Sequence, residues 1–295
     1  MSRRSRQLET AALTALVPVL SLVPFWLLAM LVVWLPVSLL WAVPFWWFPV
    51  GWLVLGALLF VRPVQVAVLT PLFGARLPTD EELDVIDPIW FDIAERADLP
   101  PDRYVVRILP SDELNAFACG GHLVVVTSFA VARLPRSELA GVLAHELSHH
   151  LGLHTVALTL GHWLSLPVVA LARVGFFLQN VARAATDSFA SHSAALTALG
   201  RVVSALLTAV SWVFLAALYA SDALANVFGY ASEFEADRRA VSMGYGRQLA
   251  AALRRVVALG GGGRAIGWKA RLAATHPPAR TRVARIEAML RHPSG

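Results

Sequence analysis

From Ala11 to Val61 the chain carries no charged residue. A soluble domain does not leave so long a stretch without charge, whereas two helices of about 20 apolar residues each would use it to cross a bilayer. Cysteine is nearly absent too: Cys119 stands alone, which excludes an intrachain disulfide and any site built from several thiolates. It is expected to be a small strand or loop residue. Lysine is scarcer still relative to its usual abundance, since arginine supplies all but one of the 25 basic residues. No internal repeat is present, so a solenoid is excluded. What remains is strongly apolar, with 57% hydrophobic and 15% charged residues and a mean hydropathy of +0.61, values outside the soluble globular range.

The uncharged stretch is expected to form a transmembrane hairpin over residues 11–61, with Pro36 and Pro44 near its turn, behind a basic tail over residues 1–10. A cleaved signal peptide is the competing reading, but the apolar region is far longer than a signal core and offers no small-residue cleavage site. Arg3, Arg4 and Arg6 precede the first span, and Arg62 and Arg76 follow the second. The positive-inside rule then places both ends of the hairpin in the cytoplasm. Two more apolar segments, Leu151–Ala172 and Val202–Ala220, form a second pair within residues 151–221. Arg173, Arg183 and Arg201 against Asp187 between them put positive charge on the expected outer side, so this pair either crosses or lies tilted and shallow. Trp41, Trp46, Trp47 and Trp52 suit an interfacial belt.

Chemistry is concentrated in His145-Glu146-Leu147-Ser148-His149, an HExxH motif in the apolar helical run from Leu139. A four-residue step turns a helix by about 400°, so His145 and His149 project from one face and can share a Zn²⁺ ion. Glu146 lies about 100° around the same turn, where it can take a proton from water instead of ligating. Two surface histidines are the plain alternative, yet such residues rarely sit in so apolar a helix unless something offsets their desolvation. For a third ligand, the pattern HExxHxxGxxH fails: Gly152 fits the glycine, but Thr155 occupies the ligand position and His154 is one residue early. The segment Ser232-Glu233-Phe234-Glu235-Ala236-Asp237 offers a glutamate on a separate helix. Glu233 would ligate, in competition with Glu235, and Asp237 would share its face and orient a ligand histidine.

HELSHH at 145–150, EFEAD at 233–237, Asn115-Ala116-Phe117-Ala118 upstream and Thr275-His276-Pro277-Pro278 before an Arg-rich helix occur in an order and spacing that resembles the HtpX-type and CAAX-prenyl-protease-type membrane zinc metallopeptidases, the gluzincin plan of HExxH plus ExxxD. The resemblance implies Zn²⁺ held by His145, His149 and Glu233, with Glu146 as catalytic base. It also implies that the strand after Asn115, through His122–Thr127, is an edge strand that lays out an extended substrate, with Asn115, Ala116, Phe117 and His122 as substrate-binding residues. His276 would stabilise the oxyanion, or else start the final helix.

The water-exposed remainder is expected to be α+β, split into residues 62–150 and 222–295. Thr79 and Glu82 form a capping box for an amphipathic helix; β patterns follow at Tyr104–Leu109 and His122–Thr127. Helices are expected over about Arg247–Leu259 and Pro278–Arg291, with a flexible Gly260–Gly263 run between them. Net charge is +5 with arginines clustered near the C-terminus, but no nucleic-acid recognition motif accompanies them, so anionic lipid headgroups are the expected partner and nucleic acid is not. The chain is therefore expected to be a mainly α integral membrane protein with about four transmembrane helices and a discontinuous α+β zincin-like metalloprotease domain, multi-pass in the cell (inner) membrane with the protease domain cytoplasmic. Its function would be zinc-dependent endopeptidase cleavage of membrane-associated proteins or peptides in quality control. The alternatives are a processing protease for one membrane-associated peptide and a non-catalytic zinc scaffold or sensor.

Overall fold

A computed structural model describes residues 16–152, 154–189, 193–259 and 277–292. The chain divides into two compact units, one comprising Met1–Leu16, Gly56–Thr159 and Ala225–Gly295, the other Val17–Leu55 and Leu160–Leu224. The helices in chain order begin with α1 (Leu16–Ser38), α2 (Trp47–Leu58) and α3 (Arg62–Leu72). Among the described residues three helical stretches are long and apolar enough to cross a membrane: Leu16–Ser38, Thr155–Ser188 and Ala194–Ser221. A fourth arises only if α2 and α3 are joined across their break. The expected hairpin, residues 11–61, thus has a second arm of 12 helical residues, α2, and the break lies at its end. Val61 is extended and a proline follows in the first turn of α3, a position that suits the start of a new helix and not the continuation of an old one.

In the apolar unit, α7 (His154–Phe189) and α8 (Ala194–Ser242) carry most of the chain. The expected loop between them is largely helical: Arg173, Arg183 and Asp187 lie in α7 and Arg201 in α8. Charges on a long helix can extend towards water without ending it, which composition alone does not reveal. Trp52 and Trp163 stack at 4.5 Å, and each indole N–H donates to the other's backbone carbonyl, at 3.3 and 2.9 Å. Ser221 Oγ donates to the Pro18 carbonyl at 3.2 Å. Outward faces stay apolar, with Leu20, Phe177 and Leu206 all more than half exposed, as lipid-facing side chains are.

The other unit holds α4 (Asp80–Arg96), β1 (Val105–Leu109), β2 (Ala116–Cys119), β3 (Leu123–Thr127), α5 (Ser128–Arg133) and α6 (Arg136–Leu151). After them come the end of α8, α9 (Gly246–Ala258) and α10 (Ala279–Arg291). The capping box at the start of α4 is present: Glu82 N donates to Thr79 Oγ1 at 3.3 Å and Thr79 N to Glu82 Oε2 at 2.8 Å. Arg76 adds a fork to both Glu82 oxygens at 2.7 and 2.8 Å. The sheet runs β1-β3-β2, with β1 parallel and β2 antiparallel to β3. This corrects the expected edge strand. Leu123–Thr127 is central and buried along its whole length, as a continuous apolar run demands, and the edge is β2. The core joins Ile86, Trp90 and Ile93 of α4 to Ile108, Val124 and Val126 of the sheet, and to Leu139, Leu143 and Leu147 of α6.

Candidate metal centre

Helix α6 is held on several sides before it presents any chemistry. Its apolar face enters the core, and Gly141 lets α9 approach so closely that a Cβ there would stand 2.3 Å from the Leu249 backbone nitrogen. His150 Nε2 bonds to the Leu123 carbonyl at 3.1 Å, and its ring stacks on Tyr104 at 4.9 Å. Burial pushes the His150 pKa down to about 3, so this imidazole is neutral and ties the helix to β3. Arg239 Nη1 donates to the Ser148 carbonyl at 3.0 Å, which satisfies one of the last carbonyls of α6.

On this fixed helix His145 and His149 bring their Nε2 atoms to 3.2 Å. Glu233, near the end of α8, places Oε1 3.2 Å from His149 Nε2 and Oε2 3.4 Å from His145 Nε2. Among the described residues these three form the one group of His, Cys, Asp or Glu side chains close enough to hold a metal ion. Donors at about 2.0–2.1 Å from a tetrahedral zinc stand about 3.3 Å from one another, so the observed triangle fits that ion. The donor chemistry, two imidazoles and a carboxylate, is also a zinc set that leaves one position open. All three side chains are buried, as is Glu146, one residue along α6.

Asp237 lies behind these donors: its Oδ1 is 3.0 Å from His145 Nδ1. Burial alone would raise this carboxyl, but the hydrogen bonds from His145 and Arg282 hold it down at about 2. For the His145 imidazolium, burial and the Arg282 charge push downward, while Asp237 and Glu233 outweigh them and lift its pKa to about 9 in the metal-free site. Glu235 turns elsewhere, pairing with Arg238 and with Arg239 at 3.4 Å.

The expected substrate residues are dispersed along the sheet. Asn115 precedes β2 and exchanges hydrogen bonds with Thr127, its N to Thr127 Oγ1 at 3.2 Å and its O from Thr127 N at 3.0 Å. Ala116 begins the edge strand and faces the main core. Phe117 points to the other face of the sheet, against Phe73 at 5.3 Å. His122 sits at the turn before β3 with its ring 6.5 Å from Tyr104 and is not among the residues gathered around the ligands. His276 lies outside the described residues. Cys119 is no nucleophile, because burial pushes its thiol up to about 12. One residue that the sequence places only in the basic C-terminal cluster enters the site. Arg282 of α10, an exposed headgroup-facing arginine by composition, is buried against Asp237, Glu233 and His145. Its place after an apparent helix start, without any motif of its own, gave no signal of this.

In this mainly α membrane protein the buried cluster joins two imidazoles of α6 to a carboxylate of α8, the donor set that metallopeptidases use. Residues 84–290 match peptidase family M48, and the chain belongs to that family. It is 28% identical over 232 residues to a protease HtpX homolog of Salinibacter ruber, an alignment covering 76% of this chain and 80% of that one. A protease HtpX homolog of Thermococcus kodakarensis is 42% identical over 81 residues, 26% of this chain and 27% of its own. Among solved structures, Ste24p of S. mikatae superposes with a TM-score of 0.53 at 17% identity, covering 87% of this chain and 61% of Ste24p, a likeness of fold.

Proposed function

We propose that the chain is a membrane-embedded zinc endopeptidase in which His145, His149 and Glu233 hold the ion and Glu146 is the general base. The observation that carries this reading is the triangle of donor atoms at 3.2, 3.2 and 3.4 Å. When bound, zinc would supply a Lewis acid that lowers the pKa of water towards about 7 and polarises the scissile carbonyl. Glu146 takes the proton of the attacking water as its oxygen bonds to the carbonyl carbon. The same carboxyl then gives that proton to the amide nitrogen as the C–N bond breaks. Asp237 accepts from His145 Nδ1–H and so keeps Nε2 turned towards the ion. An extended peptide would add to the outer edge of β2 beside Ala116, and its register there would fix the scissile bond.

The substrates are proteins or peptides associated with the membrane, and the role is quality control of membrane proteins. The arginines at positions 3, 4 and 6 favour a cytoplasmic protease unit in the inner membrane. Purified full-length chain in detergent tests the reading: it should hold close to one zinc and cleave casein or itself in a chelator-sensitive way. Cleavage that persists after the metal is fully removed would end it.

A further inference from the structure

Arg282 makes a fork to Asp237, Nε to Oδ2 at 3.0 Å and Nη2 to Oδ1 at 2.6 Å. The same guanidinium places Nη1 3.1 Å from Glu233 Oε2 and Nη2 3.2 Å from His145 Nδ1. It is only 5% exposed. A cation so deeply buried needs compensation, and here three buried carboxylates, Glu146, Glu233 and Asp237, share its surroundings. A divalent ion would balance two of those negative charges. Arg282 balances the third.

We propose that Arg282 is a positioning residue of the metal centre, acting through Asp237. This rests on the zinc reading above. Asp237 Oδ1 faces both Arg282 Nη2 and His145 Nδ1, so the fork fixes the carboxylate plane in which the imidazole finds its acceptor. Without the guanidinium nothing would hold Oδ2, and the carboxylate could turn its Oδ1 away from the imidazole. His145 would then lose the bond that selects its tautomer and aims Nε2. Because Arg282 belongs to α10, the clamp also brings a third helix to a site whose ligands come from α6 and α8. Lysine would keep the charge but not the fork.

Equilibrium zinc affinity of the full chain in detergent, measured by competition with a chromophoric chelator, tests this independently of activity. R282Q and D237N should each weaken zinc binding by roughly 10–100-fold. The double variant should stay within about twofold of D237N alone, because the two residues act in series. R282K should recover only part of the loss, and circular dichroism follows helix content throughout. An R282Q affinity equal to the wild type, or losses that multiply in the double variant, would overturn the proposal. Should R282Q fail to fold, R282K decides: affinity equal to the wild type overturns it, weakened affinity with intact helix content supports it. A wild type that binds no zinc would instead remove the metallopeptidase reading, and this one with it.

Discussion

His145 Nδ1 stands 3.0 Å from Asp237 Oδ1, while the other nitrogen of the same ring stands 3.4 Å from Glu233 Oε2. One imidazole is thus gripped from both ends by acids a single helical turn apart on α8. In the proposed zinc site that spacing would give the ExxxD pattern two functions, a ligand and the group that orients its neighbour. It also separates Glu233 from Glu235, whose side chain pairs with Arg238 and Arg239.

Glu233→Ala should therefore reduce zinc content to a small fraction of the wild type. Glu235→Ala should leave it within about twofold, since two residues apart on a helix point about 200° away from each other. Metal analysis of the two purified variants decides between them, and the reverse outcome would move the ligand.

In the proposed site zinc would compete with protons for His145. With a metal-free pKa of about 9 against an ordinary 6.5, the imidazole must shed a proton before it can ligate. Apparent zinc affinity should rise with pH, by up to about tenfold per unit between pH 7 and 9, and level off above. The metal-free protein behaves in the opposite sense: the raised folded-state pKa contributes stability that is fully present below about 6.5 and is lost as pH rises through about 9. Calorimetric titration with zinc in buffers of different ionisation enthalpy counts the released proton, and no release at pH 7 would contradict the assignment.

Gly141→Ala should destabilise the protease unit by roughly 1–3 kcal/mol, because the new methyl meets the Leu249 backbone and not a side chain that can swing aside. Thermal unfolding of the metal-free protein measures it. A neutral result would mean that α6 and α9 do not pack this closely.

Much of the site was legible because its chemistry demands fixed spacings: HExxH and the acidic pair at 233 and 237 follow helical periodicity, as the Thr79–Glu82 box elsewhere in the fold follows the geometry of a helix start. Arg282 was not legible, since its burial depends on partners 45 and 137 residues away. Nor was the centre of the sheet. The run Leu123–Val126 shows that a strand is buried on both faces, but only its pairing with β1 and β2 says which strand is the edge. In the apolar part, the uncharged stretch ends at Val61, beside the break between α2 and α3, but composition did not show that the helix before that break is only Trp47–Leu58.

The topology expected from the N-terminal arginines is testable in intact cells. In a Cys119→Ser background, a cysteine replacing Ser193, between α7 and α8, should react with an impermeant thiol reagent added outside. One replacing Glu81 in α4 should react only after the membrane is disrupted. Labelling of Ser193→Cys only after disruption would mean that α7 and α8 do not both cross.

The central claim is tested most directly by Glu146→Gln, with zinc content and peptidase activity measured on the same preparation. The ligands remain but no carboxylate can take the proton from water, so zinc should stay near the wild-type level while activity falls by at least about a thousandfold. Full activity with zinc bound would contradict the account, and so would loss of the metal.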